Sequence, residues 1–340
     1  MPTGTVRIEM RKPTVEITYR GTNVTNDIYP FLKGITYNDK INHDSPDIDI
    51  EIDDSQRLWQ SDWSPTAKDK IEVKFLYLNT DEILDAGVFE VDDLKYDFSD
   101  SGDRVSIGAQ ATPVAKNLRE KRSKEYENVT LKAIVDEVAK RQSLTVKGTI
   151  VEVSFERITQ NEESDLFFLQ RIAKDYGQLF KVEGENLIFY NWSDLDAQES
   201  VFELTRADIT SFSVTKKLVG TYKSALLTYS KPDDEAEIEV KIEAAIATDS
   251  EDVLVLNERA ETQRQAELIA TEKLRAANAT QYEGEIAVEG EARYIAGLNF
   301  TLSGFGIFDG LWQIQESSHQ FTPNGGWSTS LRVRGIGVGG

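Results

Sequence analysis

No cysteine occurs among the 340 residues. That excludes disulfides, thiolate metal sites and a cysteine nucleophile, and it is compatible with assembly in a cytoplasm. Histidine is almost as scarce, limited to His43 and His319; each reads as a surface or turn residue rather than a catalyst. There is no Gly-x-Ser-x-Gly elbow and no His-Glu-x-x-His pair. The glycines of Gly304–Gly310 open a strand rather than a helix, so they lack the context of a phosphate cradle. The acidic runs lack the glycine-centred loop of an EF-hand. Carboxylates are too plentiful for any pair to stand out as a glycosidase dyad. No catalytic, cofactor or metal residues are therefore expected. No apolar run approaches the roughly 20 residues that span a bilayer. Met1 to Arg11 carries charge without an apolar centre and is no signal peptide. Positive charge is also in deficit: 38 Lys and Arg stand against 59 Asp and Glu, a net charge of −21. A broad phosphate-binding or anionic-membrane surface would need the opposite balance.

What is present is β pattern. The chain is 39% apolar, enough for a core, and long enough for two or three domains. Between Ala292 and Gly335, short apolar alternations (Leu298, Phe300, Leu302; Leu311 to Ile314; Leu331, Val333) are separated by glycine-bearing turns, the signature of antiparallel strands. Asn324-Gly325-Gly326 marks a hairpin, since these residues accept positive φ cheaply. Gly87-Val-Phe-Glu-Val91 matches Gly310-Leu-Trp-Gln-Ile314 at an offset of 223 residues, which also places Phe98 on Phe321 and Gly102 on Gly325. The match is either an internal repeat or the chance likeness of two hairpins.

The spacing predicts three segments. Residues 1–112 read as a small β barrel, 113–200 as an α+β insert with two amphipathic helices, and 201–340 as a second β barrel carrying a helix over 258–277. In the insert, Thr130 is placed to cap a helix over 131–141 and Ser164 one over 165–176, with Gly177 just past its end. In Pro46–Asp54, Ile48, Ile50 and Ile52 alternate with Asp47, Asp49, Glu51 and Asp53, giving one apolar and one acidic face. Asp234–Glu243 repeats the pattern with Glu237, Glu239 and Glu243. Lys116, Arg119, Lys121, Arg122 and Lys124 form a basic run inside an acidic chain, read either as a solvated linker or as a contact with an acidic face of a neighbouring subunit. Trp59, Trp63, Trp192, Trp312 and Trp327 are scattered through the β pattern, as core or interface residues are.

Three stretches in order resemble the late control protein D family of phage tail proteins, the hubs of contractile-tail baseplates, together with the VgrG-like hubs of type VI secretion. They are Thr130–Arg141, Glu162–Gly177 (Glu-Glu-Ser-Asp-Leu-Phe-Phe-Leu-Gln-Arg-Ile-Ala-Lys-Asp-Tyr-Gly), and the closing segment with Ala296-Gly, Gly304–Trp312, His319 and Thr329–Arg334. No needle or hydrolase domain follows Gly340, which points to a hub whose spike is a separate chain. The resemblance implies a homotrimer with two related tube-like barrels per subunit, hence a pseudo-six-fold ring. Such a ring would adapt a hexameric tail tube to a trimeric spike, contact other baseplate proteins, and let DNA or an effector through its channel without specific binding. It would be built in the bacterial cytoplasm and end in the virion, with no membrane partner and no enzymatic role. The two acidic alternations are then expected on corresponding strands facing the channel, or else facing solvent or a partner, and the basic run against a neighbouring chain. The alternatives of other classes are a tail-tip peptidoglycan-degrading enzyme and a glycan-binding module.

Overall fold

The computed structural model describes residues 11–41, 45–100, 102–111, 120–183, 185–230, 237–245 and 250–338. It is mainly β. The front of the chain gives β1 (Pro13–Tyr19), β2 (Thr22–Asn23), the single-turn helix α1 (Thr25–Ile28), β3 (Leu32–Lys40), β4 (Asp47–Asp53), β5 (Lys70–Tyr77), β6 (Ile83–Asp97) and β7 (Arg104–Gln110). The middle gives β8 (Lys121–Thr130), α2 (Leu131–Gln142), β9 (Thr145–Gly148), β10 (Ser154–Ser164), α3 (Asp165–Asp175), β11 (Gln178–Glu183), β12 (Asn186–Asn191) and α4 (Trp192–Asp196). The rest gives β13 (Glu203–Thr205), β14 (Ile209–Lys216), β15 (Ser224–Ser230), β16 (Glu237–Glu243), β17 (Val253–Leu256), α5 (Gln263–Asn278), β18 (Tyr282–Glu289), β19 (Asn299–Ser303), β20 (Gly310–Thr322) and β21 (Gly326–Val338).

Period-2 alternation makes these strands two-faced, and burying the apolar face drives the sheets together. In β4, Ile48, Ile50 and Ile52 are buried while the acids between them stay at least partly accessible. The same holds for β5, where Ile71, Val73, Phe75 and Tyr77 alternate with Lys70, Glu72 and Lys74.

Two sets of six strands share one spatial order. The front set runs β3-β4-β7-β6-β5-β1; the rear set runs β14-β18-β21-β20-β19-β13. Each set also appears in the chain in the same succession, with β1, β3, β4, β5, β6, β7 matching β13, β14, β18, β19, β20, β21. The register agrees in detail. Val73 faces Gly87 across one strand pair as Leu302 faces Gly310 across the other. A bulge between Val91 and Asp93 recurs between Ile314 and Glu316, at the same 223-residue offset. A shared bulge is an inherited feature rather than a generic one, so the two glycine-aromatic hairpins are copies. One pairing differs: β1 runs antiparallel to β5, whereas β13 runs parallel to β19.

The two sets are joined by β20. Its first half pairs with β19 and its second half, Glu316–Phe321, pairs with β3 over Lys40–Ile35. The far end of the β20–β21 hairpin thus closes the front core, to which it contributes Phe321 and Trp327. The rear core gathers Phe300, Leu302, Trp312, Ile286, Leu331 and Val333.

The middle segment has its own core between α2, α3 and two small sheets. The Thr130 hydroxyl accepts from the Ala133 N–H and the Ser164 hydroxyl from the Phe167 N–H, satisfying otherwise orphaned amides at each helix start. Asp165, the first residue of α3, is fully buried; Arg141 grips it with two nitrogens at 3.1 and 2.7 Å, and Gln142 and Gln160 donate at 2.7 and 3.0 Å. Between β14 and β18 the rear set carries an addition without a counterpart in front. It is a sheet ordered β16-β15-β17 covered on one face by α5. The helix expected over 258–277, found as α5, therefore packs on this added sheet rather than on the rear strand set.

Candidate functional site: the polar face of the joined sheet

Directly opposite residues in an antiparallel ladder share a face, so the outer face of the joined sheet can be followed strand by strand. One row runs Ser211–Ala287–Ser330–Ser318–Asn38–Asp47–Gln110 from β14 to β7. The next runs Glu289–Ser328–Gln320–Thr36–Asp49–Gly108–Asp93 from β18 to β6. Apart from Ala287 and Gly108, serine, threonine, amides and acids fill both rows, with no large apolar side chain. The opposite face holds Ile286, Leu331, Phe321, Ile35, Ile48, Ile50 and Ile107, all buried. One uninterrupted polar wall therefore crosses both strand sets through the β20–β3 seam.

Cations sit among the acids. Lys40 meets Asp47 at 3.0 Å, Arg104 meets Glu51 at 3.0 Å, Lys33 meets Asp53 at 2.8 Å, and Arg332 meets Glu316 at 3.0 Å. Lys33 and the Ser55 donors hold the Asp53 carboxyl below the usual range. Asp49 behaves oppositely: burial first, then Glu51, Asp93 and Asp47, push its carboxyl up. The three neighbouring carboxylates thus add to the effect of burial, with Lys95 opposing them.

Asp47, Asp49, Glu51 and Asp53 lie on this wall. Glu237, Glu239 and Glu243 do not: their strand, β16, belongs to the added sheet under α5. The expectation of corresponding strands is thereby corrected. The true counterpart of β4 is β18, since each lies between the first strand of its set and the hairpin partner, and β18 bears Glu283, Glu285 and Glu289 on its exposed face. The sequence signal was there, alternating with buried Gly284, Ile286 and Val288, but Gly284 and Ala287 made it quieter than the run at 237–243.

The basic run is also different from a linker. Lys121, Arg122 and Lys124 open strand β8, paired with β10. Arg122 reaches the buried Asp165 at 3.8 Å and Lys124 meets Glu137 at 2.5 Å and lies over the Tyr126 ring. Lys121 is exposed. Lys116 and Arg119 lie outside the described residues, as does His43. His319, read as a surface or turn residue, is in fact fully buried in the seam. Its Nδ1 accepts from the Trp327 indole N–H at 3.3 Å and pairs with the Thr329 hydroxyl at 2.9 Å, so Nε2 donates to the Tyr294 carbonyl at 2.9 Å. Of the tryptophans, Trp59, Trp192, Trp312 and Trp327 are buried. Trp63 is exposed at the mouth of a cavity of about 330 Å³ and touches Trp59 and Phe31 edge-on. Among the described residues, no cluster of three or more His, Asp or Glu is arranged to hold a metal ion.

The family model for the phage tail baseplate hub (GPD) matches residues 85–325. The chain belongs to that family. Baseplate hub of a phage tail is the role that the family's description names. The chain is 24% identical over 179 residues to a probable baseplate hub protein of Escherichia phage 186, an alignment covering 52% of this chain and 44% of that relative. The aligned part of the chain thus spans less than half the length of that relative. Its fold is similar to that of a 43 kDa tail protein of prophage MuSo2 from Shewanella oneidensis (TM-score 0.69, 14% identity, covering 95% of this chain and 98% of the other). It is also similar to an E. coli component of the type VI secretion system (TM-score 0.56, 12% identity, covering 95% and 76%).

Proposed function

We propose that the hub is a non-enzymatic adapter in which three copies form a ring of six related barrels, stacked between a hexameric tail tube and a trimeric spike. The observation that carries this reading is the doubled six-strand set joined into a single sheet. A three-copy protein with one barrel per chain could not match a six-fold cylinder, whereas two copies of the barrel per chain present six repeats at three-fold symmetry. The once-per-chain elements, the middle segment and the added β15–β17 sheet with α5, would supply the three-fold surface.

The polar wall is the surface we assign to the channel. Its acids (Asp47, Asp49, Glu51 and Asp53 on β4; Glu283, Glu285 and Glu289 on β18) repel phosphates within about 8 Å, the screening length at physiological salt. Its hydroxyls and amides give a passing polymer no apolar foothold. Glu239 and Glu243 belong to the outer, once-per-chain surface in this arrangement, on the same strand as Glu237. Lys121, and with it Lys116 and Arg119, remain candidates for contact with a neighbouring chain; Arg122 and Lys124 have partners within their own.

Native mass measurement on the purified hub, alone and mixed with tube and spike proteins, tests the proposal. A trimer that binds one tube hexamer and one spike trimer is expected. A monomer under all three conditions, or lysis of purified cell walls by the hub alone, would overturn it.

A further inference from the structure

We infer that the cavity beside Trp63 is a docking pocket for a segment of another protein. It takes one large apolar side chain that has a lysine or arginine next to it in its own chain. The site depends neither on copy number nor on which face lines the channel.

The connection between β4 and β5, residues 54–69, builds the pocket against α1 and the ends of β1, β4 and β5. Ile17, Ile28, Ile52, Ile71 and Ile107, all buried, line it together with Trp59, around about 330 Å³. That lies at the small end of the roughly 300–1,000 Å³ of ligand pockets, so it suits a side chain rather than a large cofactor. The connection is tied down at both ends. Asp54, buried, accepts from the Trp59 N–H and from Gln60 Nε2, each at 2.9 Å. Asp69 accepts from the Thr66 N–H at 2.8 Å, from Arg20 Nε at 2.7 Å and from the Tyr19 hydroxyl. The Tyr96 hydroxyl donates to the Trp59 carbonyl at 3.1 Å. On this held loop Trp63 is 42% exposed, edge-on to Trp59 and Phe31. An exposed aromatic fixed beside an apolar recess makes a binding anchor, because little freedom is lost when a partner docks.

Charge and hydrogen bonding narrow the occupant. Asp27 and Asp62 line the same cavity and are exposed, and their carboxylates have no partner among the described residues. Arg20, also in the lining, is engaged by Asp69. The rim therefore favours a cation. The wall holds an unmet donor as well: the Trp59 indole N–H is buried without an acceptor, at a cost of about 1–3 kcal/mol. A peptide supplies all three complements, with an apolar side chain for the recess, a backbone carbonyl for the indole once the exposed Trp63 ring swings aside, and a basic neighbour for the acids. The counterpart connection of the rear set, 290–298, is shorter; it buries Tyr294 against Phe202 and contains no tryptophan. The pocket thus belongs to the front strand set alone.

Three capped pentapeptides serve as probes: Gly-Lys-Phe-Lys-Gly, Gly-Glu-Phe-Glu-Gly and Gly-Lys-Ser-Lys-Gly. Each is titrated at low salt into nitrogen-15-labelled protein while the indole N–H resonances are followed, those of Trp59 and Trp63 being identified by Trp→Phe variants. The first peptide is expected to move these two and leave Trp192, Trp312 and Trp327 in place. The second should bind about tenfold more weakly, because two attractive surface pairs become two repulsive ones. The third should not bind. With Asp27→Asn and Asp62→Asn combined, the first two peptides should bind alike at an unchanged melting temperature; Trp63→Ala should lose both. No shift with the first peptide, equal binding of the first two to the unaltered protein, or shifts confined to the other three indoles overturns the assignment. So does a response to n-octylamine and to none of the peptides, which would make the pocket a site for a small amphiphile.

Discussion

His319 is held neutral by its surroundings. Burial pushes its pKa down to about 4, against an ordinary 6.5, with only the hydrogen bond to the Tyr294 carbonyl opposing. Between those two values the unfolded chain binds the proton and the folded one does not, so stability falls as pH drops from about 6.5 towards 4 and changes no further below it. The full penalty is at most about 3 kcal/mol. Chemical denaturation of the protein at pH 7.5 and 4.5 is expected to show this loss, and His319→Gln, uncharged at both, a smaller pH difference although lower stability at pH 7.5. Asp165 is the opposite case: burial alone would raise its carboxyl, yet Arg141, Gln160 and Gln142 together hold it below its usual value. Asp165→Ala leaves Arg141 and Arg122 facing each other without the acid, and is expected to cost about 3 kcal/mol in the same measurement.

Among the elements, the two copied strands β6 and β20 begin their repeats on glycines of positive φ, 93° at Gly87 and 138° at Gly310. An added Cβ at Gly87 meets open space, but at Gly310 it would come within 2.2 Å of the Gly337 carbonyl oxygen. Gly87→Ala should therefore cost about 1 kcal/mol of backbone strain and Gly310→Ala clearly more, about 3 kcal/mol, read as a larger drop in melting temperature. Removing the cap of α3 by Ser164→Ala should cost about 1 kcal/mol. These features were legible because they are local: period-2 apolar spacing, hydroxyls before helices, glycines at turns. The repeat was legible through Gly87–Val91 and Gly310–Ile314. What escaped the sequence was the choice of neighbour. Alternation shows that a strand has two faces, not which sheet it joins, so Glu237–Glu243 drew the reading that belonged to Glu283–Glu289. The partner that makes Arg122 part of a packed strand, Asp165, lies too far along the chain for composition to reveal. The buried position of His319 depends on Tyr37, Trp327 and Tyr294, which meet only in the folded seam.

At the scale of the molecule, the six-strand set occurs twice per chain, while the middle segment and the α5 sheet occur once. If the polar wall is the lumen, reversing its charge alters passage rather than assembly. Particles carrying Asp49→Lys with Glu285→Lys are expected to assemble in normal yield yet release DNA more slowly, by several-fold and most at low salt, where screening is weakest. Glu239→Lys with Glu243→Lys, on the added sheet, is expected to leave release unchanged. Single-particle ejection rates at two ionic strengths check both.

The strand that changes partners half-way, β20, also bears on mechanics. A pull that slides one barrel past the other along this strand loads all of Glu316–Phe321 at once, in shear, whereas a peel would break the same bonds one after another. The seam is a lap joint rather than a hinge, and two strand sets spliced this way are expected to resist sliding more than peeling.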